Sequence, residues 1–284
     1  MDIPNSQNNS YEQKVLDHGF VRLVDYMGDD SAIVQAARVS YGEGTKNVSS
    51  DRQLIRYLMR HRHTTPFEMC EVKFHVKLPI FVARQWIRHR TANVNEISGR
   101  YSEMVDEFYL PELDQIRPQS VINKQGRSDS TFDPQEGLEI QNQLGGTQQE
   151  LYKEYKDVLG KNLARELSRI NLPLSLYTEW YWKIDLHNLF HFLHLRLDSH
   201  AQYEIRVFAE AMATITKELF PIAYEAFEDY RLHSMSFTGP EISILQQLIT
   251  SKEFDAERLV ELGLSKRESA EFILKMKSIR TFNK

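Results

Sequence analysis

The sequence predicts a mixed α/β domain. Residues 19–26 and 69–78 alternate apolar and polar side chains with a period of two, the mark of half-buried strands. Residues 51–62, 148–170 and 200–220 read instead as helices, amphipathic or long. These elements follow one another with no internal repeat and no dividing linker, so one domain carries both kinds. The 284 residues are 41% hydrophobic and 26% charged, which is ample for a large core and excludes disorder over most of the chain.

Each element has a local reason. Residues 1–13 are polar and read as a weakly ordered arm. Met27 to Ser31 is a turn able to cap a short helix over 31–39, and a Gly/Ser/Thr/Lys loop follows over 42–50. Asp51 can cap a helix through Arg62 whose apolar stripe is Leu54, Ile55 and Leu58. Thr64, Thr65 and Pro66 end it, because proline biases the residue before it away from helical geometry. The strongest strand pattern comes next, with Val72, Phe74 and Val76 on one face and Glu71, Lys73, His75 and Lys77 on the other. Pro79 suits the start of a helix that carries Phe81, Val82, Gln85 and Trp86 and ends near Arg88 to Arg90.

Residues 91–102 read as a polar loop and 107–110 as a short strand before Pro111. Residues at about 112–147 are rich in Gln, Ser, Asn and Gly, with Pro118, Pro134 and the pair Gly145 and Gly146, and read as an exposed insertion. Pro173 breaks the helix over 148–170, 176–184 is β-prone and aromatic, and Asp185 caps a helix through Leu197. The expected organisation is a single domain over 1–230 with that insertion, then a helical appendage over 231–284.

Composition narrows the function. Lys and Arg number 35 against 40 Asp and Glu, a net charge of −5, so a globally basic nucleic-acid binder is not expected. The one cysteine, Cys70, excludes an internal disulfide and a zinc site of several thiolates. The polar N-terminus lacks an apolar signal region, and no run of about 20 apolar residues exists to span a membrane. A reducing, cytoplasmic setting is the expectation. Neither a Gly-x-Gly-x-x-Gly fingerprint nor a P-loop motif occurs.

The densest chemistry lies between Arg84 and Arg100. Four arginines and one histidine fall within 17 positions, beside Asn93, Asn95, Glu96, Ser98 and Gly99. Arginine forks match phosphate oxygens, and Ser98, Gly99 and Arg100 can form an anion cradle. The plainer reading of the arginine run is a solvated helix end that complements the dipole. A second cluster places His187, His191 and His194 on one helical face, with Asp185, Arg196, Asp198 and His200 nearby. A metal site is one reading of the three histidines; a polar cavity binding a ligand is the other. His63 and Arg169 are further candidates, with a helix end and a surface charge as their plain alternatives.

Arg88-His89-Arg90, seven residues and Ser98 resemble the RHR-x7-S signature of flavin-dependent thymidylate synthases. So do 63–68, 79–86, 98–102, Leu172 to Leu174 and Leu195 to Gln202. Asn93 and Val94 depart from the family's usual residues, and His191 stands where some members have Asn. The resemblance covers roughly residues 18–111 and 148–230 and implies an α/β fold of the α+β type, an antiparallel sheet packed with long helices; the single domain expected over 1–230 would be the catalytic one. It implies reductive methylation of dUMP to dTMP. 5,10-Methylenetetrahydrofolate donates the carbon, and FAD, reduced by NADPH, donates the hydride.

The resemblance also assigns roles. Gln85, Trp86, Ile87, Arg88, Glu96, Ile97, Ser98, Gly99, Arg100, Arg169 and Arg196 would surround dUMP, with Arg196 activating the uracil at N3. His63, Thr65, Arg88, His89, Arg90, Glu96, Asp185, Leu186, His187 and His191 would surround FAD. Further implications are a homotetramer with shared active sites, no metal, no nucleic-acid partner, no membrane and no cysteine nucleophile. Ser98 is expected to orient substrate, since no base is placed beside it to activate an alcohol. Two alternatives stay open: a nucleic-acid or phosphoprotein-binding module using the Arg84–Arg100 patch, and another flavoenzyme acting on a pyrimidine nucleotide.

Overall fold

The structure, a computed structural model, describes residues 11–39, 50–121, 124–248 and 255–280. Two compact units divide the chain, residues 1–232 and 233–284. The first contains a five-stranded, wholly antiparallel sheet. Its strands are β1 (Glu12–Val15), β2 (Gly19–Met27), β3 (Glu71–Pro79), β4 (Ala92–Glu96) and β5 (Tyr177–Asp185), in the spatial order β1-β2-β3-β5-β4. The mixed fold with an antiparallel sheet is therefore as expected.

The period-two pattern sets the faces of the sheet. Val72, Phe74, Val76 and Leu78 of β3 are fully buried, and Trp180, Trp182 and Ile184 of β5 join them on the same face. β3 and β5 pair from Glu71 opposite Asp185 to Pro79 opposite Tyr177. On the other face His75 stacks on Tyr181 at 4.8 Å and bonds Glu179 at 2.9 Å. Each central strand runs straight into a helix. Pro79 starts α4 (Ile80–Trp86), and Asp185 caps α7 (Leu186–Arg196) by accepting from the Asn188 N–H at 2.9 Å. The long α8 (Tyr203–Leu219) buries Ile205, Phe208 and Met212 in the same core.

The remaining helices of this unit are α1 (Asp30–Arg38), α2 (Asp51–Arg60), α3 (Thr65–Glu68), α5 (Pro134–Gly160), α6 (Arg165–Ser168) and α9 (Pro221–Phe227). Several differ from the sequence reading. Asp29 and Ser50 supply the caps of α1 and α2, so Asp51 is a first-turn residue and not the cap. α2 stops at Arg60, where Arg62 takes a left-handed φ of 59° and its N–H donates to Met59 O. Pro66 starts the short α3 instead of ending α2.

β1 takes up the last two residues of the expected arm, whose residues 1–10 fall outside the described chain, as do residues 42–49 of the expected loop. β4 replaces half of the expected polar loop. Residues 107–110 make only a bridge, Phe108 to Leu176, and no strand. The expected insertion is largely helical from Pro134 onward, and α5 ends at Gly160, not near 170.

Tertiary bonds hold α5 despite its glycines. The Tyr155 hydroxyl accepts from the Met104 N–H at 2.9 Å, the Tyr152 hydroxyl donates to Met104 O at 3.0 Å, and Gln148 donates to Tyr109 O at 3.0 Å. Among the described residues the second unit has three helices, Gly239–Leu248, Ala256–Glu261 and Lys266–Arg280. Among the described residues no helix is long and apolar enough to cross a membrane.

One cap comes from far away in sequence. Phe220 precedes α9 and has no side-chain oxygen, and Pro221 has no N–H. Asp30 of α1 reaches across and accepts from the Ile222 and Ala223 N–H groups at 2.8 and 2.9 Å. Asp30→Ala is expected to lower unfolding free energy by about 1–3 kcal/mol, because it strands two donors at a helix start. Urea denaturation measures this, and an unchanged midpoint would remove the cap from the account.

Candidate functional site

The arginine-rich segment begins where α4 ends. Trp86 is fully buried, stacked on Phe192 at 4.8 Å and edge-on to Trp180 and Trp182 at 5.6 and 5.3 Å. This anchor fixes the direction in which Ile87, Arg88, His89 and Arg90 leave the core. His89 N–H closes the turn on Trp86 O at 2.9 Å, and its ring packs edge-on to Phe192 at 4.9 Å. There it meets the end of α7, where Arg196 Nε donates to His89 Nε2 at 3.1 Å. The imidazole must therefore be neutral at Nε2. Burial, the Arg196 charge and His191 together push its pKa down to about 4.

The loop after β4 meets a second distant segment. Glu96 accepts from the Thr178 hydroxyl at 2.6 Å, and the Ile97 N–H donates to Glu179 O at 2.9 Å. Ser98 Oγ accepts from the Arg100 N–H at 3.4 Å, and Arg100 pairs with Glu166 of α6 at 3.2 Å. A Cβ on Gly99 would lie 2.6 Å from Met104 Sδ and 3.2 Å from Arg169 Cδ. A side chain there would have to push Met104 and Arg169 aside, so Gly99 and Arg169 pack together although 70 positions apart.

The other candidates gather at a cleft. His63, His187 and His191 line it with Arg62, Thr64 and Arg231, over a floor of Leu58, Met59, Phe67 and Phe190. Burial, with Arg231 and the neighbouring histidines, lowers the His191 pKa. Arg62 and Arg231 had no role in the sequence reading; only the fold brings them together. Thr65 is exposed beside Thr64.

Some candidates are otherwise occupied. Trp86 and Leu186 are fully buried in the core, which leaves their backbones alone for ligand contact. Both Asp185 oxygens bond Asn188, at 2.9 and 2.7 Å. Ile87, Arg88, Arg90 and Ile97 are exposed.

Fit to a nucleotide and a flavin rests on unmet polar groups. Among the described residues Arg88, Arg90 and Arg169 form no ion pair, whereas many surface arginines do. The buried Gln85 Oε1 and His194 Nδ1 have no partner. Cations left unpaired next to a close backbone approach suit phosphate groups, and the shallow histidine cleft offers ring nitrogens above an apolar floor. Among the described residues no group of three His, Cys, Asp or Glu is placed to hold a metal ion.

Residues 22–222 match the family model described as thymidylate synthase complementing protein. The flavin-dependent thymidylate synthase of Wolbachia pipientis wMel is 58% identical over 262 residues, covering 92% of this chain and 91% of the relative. That of Gluconobacter oxydans (strain 621H) is 57% identical over 261 residues, covering 91% and 85%. Among solved structures, the UMP/dUMP methylase PolB from Streptomyces cacaoi, bound with 5-Br UMP, superposes with a TM-score of 0.70 at 35% identity. The match covers 78% of this chain and 99% of PolB. The fold and these relatives thus place the chain in a nucleotide-methylating α/β class. Within that class, the chain belongs to the thymidylate synthase complementing protein family.

The low pKa of His89 has a consequence for stability. In the unfolded chain this group takes a proton near its ordinary 6.5, whereas in the fold it stays neutral down to about 4. The unfolded state therefore binds more protons between those values, and stability falls as pH drops through that window. A His89→Gln variant is expected to lose part of that slope. Urea midpoints measured from pH 4 to 7 give the comparison, and identical slopes would contradict the buried neutral imidazole.

Proposed function

We propose that this chain is a flavin-dependent thymidylate synthase. It methylates dUMP to dTMP reductively, taking the carbon from 5,10-methylenetetrahydrofolate, with FAD as the flavin and NADPH as its reductant. The observation that carries this reading is the Arg196–His89 pair. Arg196 spends only its Nε on a neutral ring, so it keeps its full charge and its two terminal nitrogens for a ligand. Next to the uracil N3–H, that charge favours the ionised ring and raises its electron density. The bound flavin supplies the hydride.

The chain's own residues bind and orient. Arg88, Arg169, Arg100, Ser98 and the Gly99 backbone hold the dUMP phosphate, with Gln85, Glu96 and the backbones of Trp86, Ile87 and Ile97 around the nucleotide. His63, Thr65, His89, Arg90, His187 and His191 hold FAD, with Arg88, Glu96, Asp185 and the Leu186 backbone beside it. Closure of two rings in a stacked geometry is a positioning task, for which buried anchors such as Trp86 suit. We assign catalysis to residues 1–230 and regard 231–284 as an appendage. The working form is a homotetramer in the cytoplasm, and no nucleic acid, membrane or metal takes part.

No thiolate is required. Cys70 is fully buried, and burial with Asp29 and Asp30 nearby pushes its pKa up to about 12. Cys70→Ser is expected to form thymidylate at a rate within about twofold of the wild type, since only a small packing contact changes. Abolished turnover in a folded Cys70→Ser protein would restore a thiol mechanism.

The purified protein with FAD is expected to be yellow and to make dTMP only when dUMP, the folate and NADPH are all present. A colourless protein whose ligand affinity falls steeply with salt would favour the nucleic-acid reading instead. Arg196→Ala is expected to fold, keep FAD and lose at least about a hundredfold in kcat, the scale of one strong electrostatic contact. Gly99→Ala should instead raise the dUMP KM about tenfold with kcat little changed, by displacing Arg169. Wild-type kinetics in either variant would remove the role given to that position.

A further inference from the structure

We propose that Glu204 is a positioning residue that decides which end of the Gln85 amide faces the substrate, and that Arg127 supplies its counter-charge. This deepens the reading of Gln85 as a dUMP contact and rests on it.

Glu204 opens α8 and is only 2% exposed. It accepts from the Tyr109 hydroxyl at 3.0 Å, pairs with the Arg127 guanidinium, and accepts from Gln202 Nε2 at 2.8 Å. A carboxylate only accepts, so Gln202 must turn its NH2 toward Glu204. That leaves Gln202 Oε1 facing Gln85, where it accepts from Gln85 Nε2 at 2.8 Å. Gln85 has then committed one N–H of its amide to Gln202. Its Oε1 is buried and without a partner among the described residues.

An amide can in principle face either way. Here one acceptor-only group sets the direction of two amides in series, and the atom of Gln85 left unmet is its acceptor. A phosphate dianion has no hydrogen to give. The group Gln85 recognises is therefore a donor on the nucleoside part of the substrate, a ring N–H or a sugar hydroxyl. Meeting a buried acceptor restores roughly 1–3 kcal/mol otherwise lost, so the direction matters for affinity.

The counter-charge comes from the segment that looked like an exposed insertion. A bridge between Gln119 and Arg127 folds that segment back on itself. Arg127 also donates to Gln115 Oε1 at 3.0 Å and lies over the Tyr203 ring at 5.6 Å. The segment thus contributes to the substrate site through three side chains in sequence: Glu204, Gln202 and Gln85.

The test reverses the direction of the chain. Full-length protein with FAD bound is assayed for dUMP KM and kcat, and for dUMP binding by equilibrium dialysis. In Glu204→Gln the amide at 202 is free to turn, and the dUMP KM is expected to rise about tenfold with kcat within about twofold. Gln85→Glu sets a carboxylate against Gln202 Oε1 and should raise KM further. Adding Glu204→Gln to Gln85→Glu lets the amide at 202 turn round and donate to position 85. The double variant should then bind dUMP at least about tenfold more tightly than Gln85→Glu alone. Additive losses in the double variant overturn the proposal, as does a Glu204→Gln protein that is less stable but has the wild-type KM. A wild-type chain that binds no dUMP fails the enzyme reading and this proposal together; normal wild-type turnover with additive losses fails this proposal alone.

Discussion

The burial of Trp86 is the constraint on which the site depends. Four aromatic rings surround it, from β5, α7 and α8: Trp180, Trp182, Phe192 and Phe208. These come from chain segments about a hundred residues away, so the indole is where the sheet, α7 and α8 meet. Truncating such a residue typically costs about 3–5 kcal/mol, far more than any surface ion pair in this protein contributes. Three positions later His89 meets Arg196. The register of β3 on β5 makes this possible: α4 leaves the sheet at the Pro79–Tyr177 end and α7 at the Glu71–Asp185 end. Both helices lie over the same face, and their last turns converge.

What could be read from the sequence follows this division between core and rim. β2, β3 and β5 have one buried face, so their alternation is visible in the residue pattern. β4 is an edge strand whose residues are nearly all exposed, and Asn93, Val94 and Asn95 alternate in no useful way. It exists because β5 offers a row of backbone partners, which no local pattern encodes. α5 misled for the opposite reason. Gly145 and Gly146 each weaken a helix by about 1 kcal/mol, so local propensity argues against one. Tyr152, Tyr155 and Gln148 override that preference by bonding a loop more than thirty residues earlier.

The candidate site divides in the same way. The run from Arg84 to Arg100 stands out because several functional side chains are close in sequence. Trp86, read as a substrate contact by resemblance, has its side chain committed to the core, since that motif also carries the anchor. Arg62, Arg231, Arg127 and Glu204 were not legible as site residues, because each gains its meaning from a partner far along the chain. Arg62 had one local mark, its place just past a helix end, where a left-handed residue is common. Glu204 had none; an acidic residue in a helix's first turn is ordinary.

Charge pairing gives a physical way to tell the two kinds of arginine apart. Arg22, Arg38, Arg52, Arg56 and Arg258 sit beside carboxylates at 2.5 to 2.7 Å. In a chain with 40 acidic residues such partners are abundant, so a cluster of arginines without them is not a matter of supply. Three carboxylates of the candidate segments have partners of their own: Glu96 bonds Thr178, Glu166 pairs with Arg100, and Asp185 bonds Asn188. Among the described residues Arg88, Arg90 and Arg169 thus have no ion-pair partner, while the molecule as a whole is acidic. Cations without a carboxylate beside them attract anions, so unequal pairing can concentrate positive charge at one place on an acidic protein.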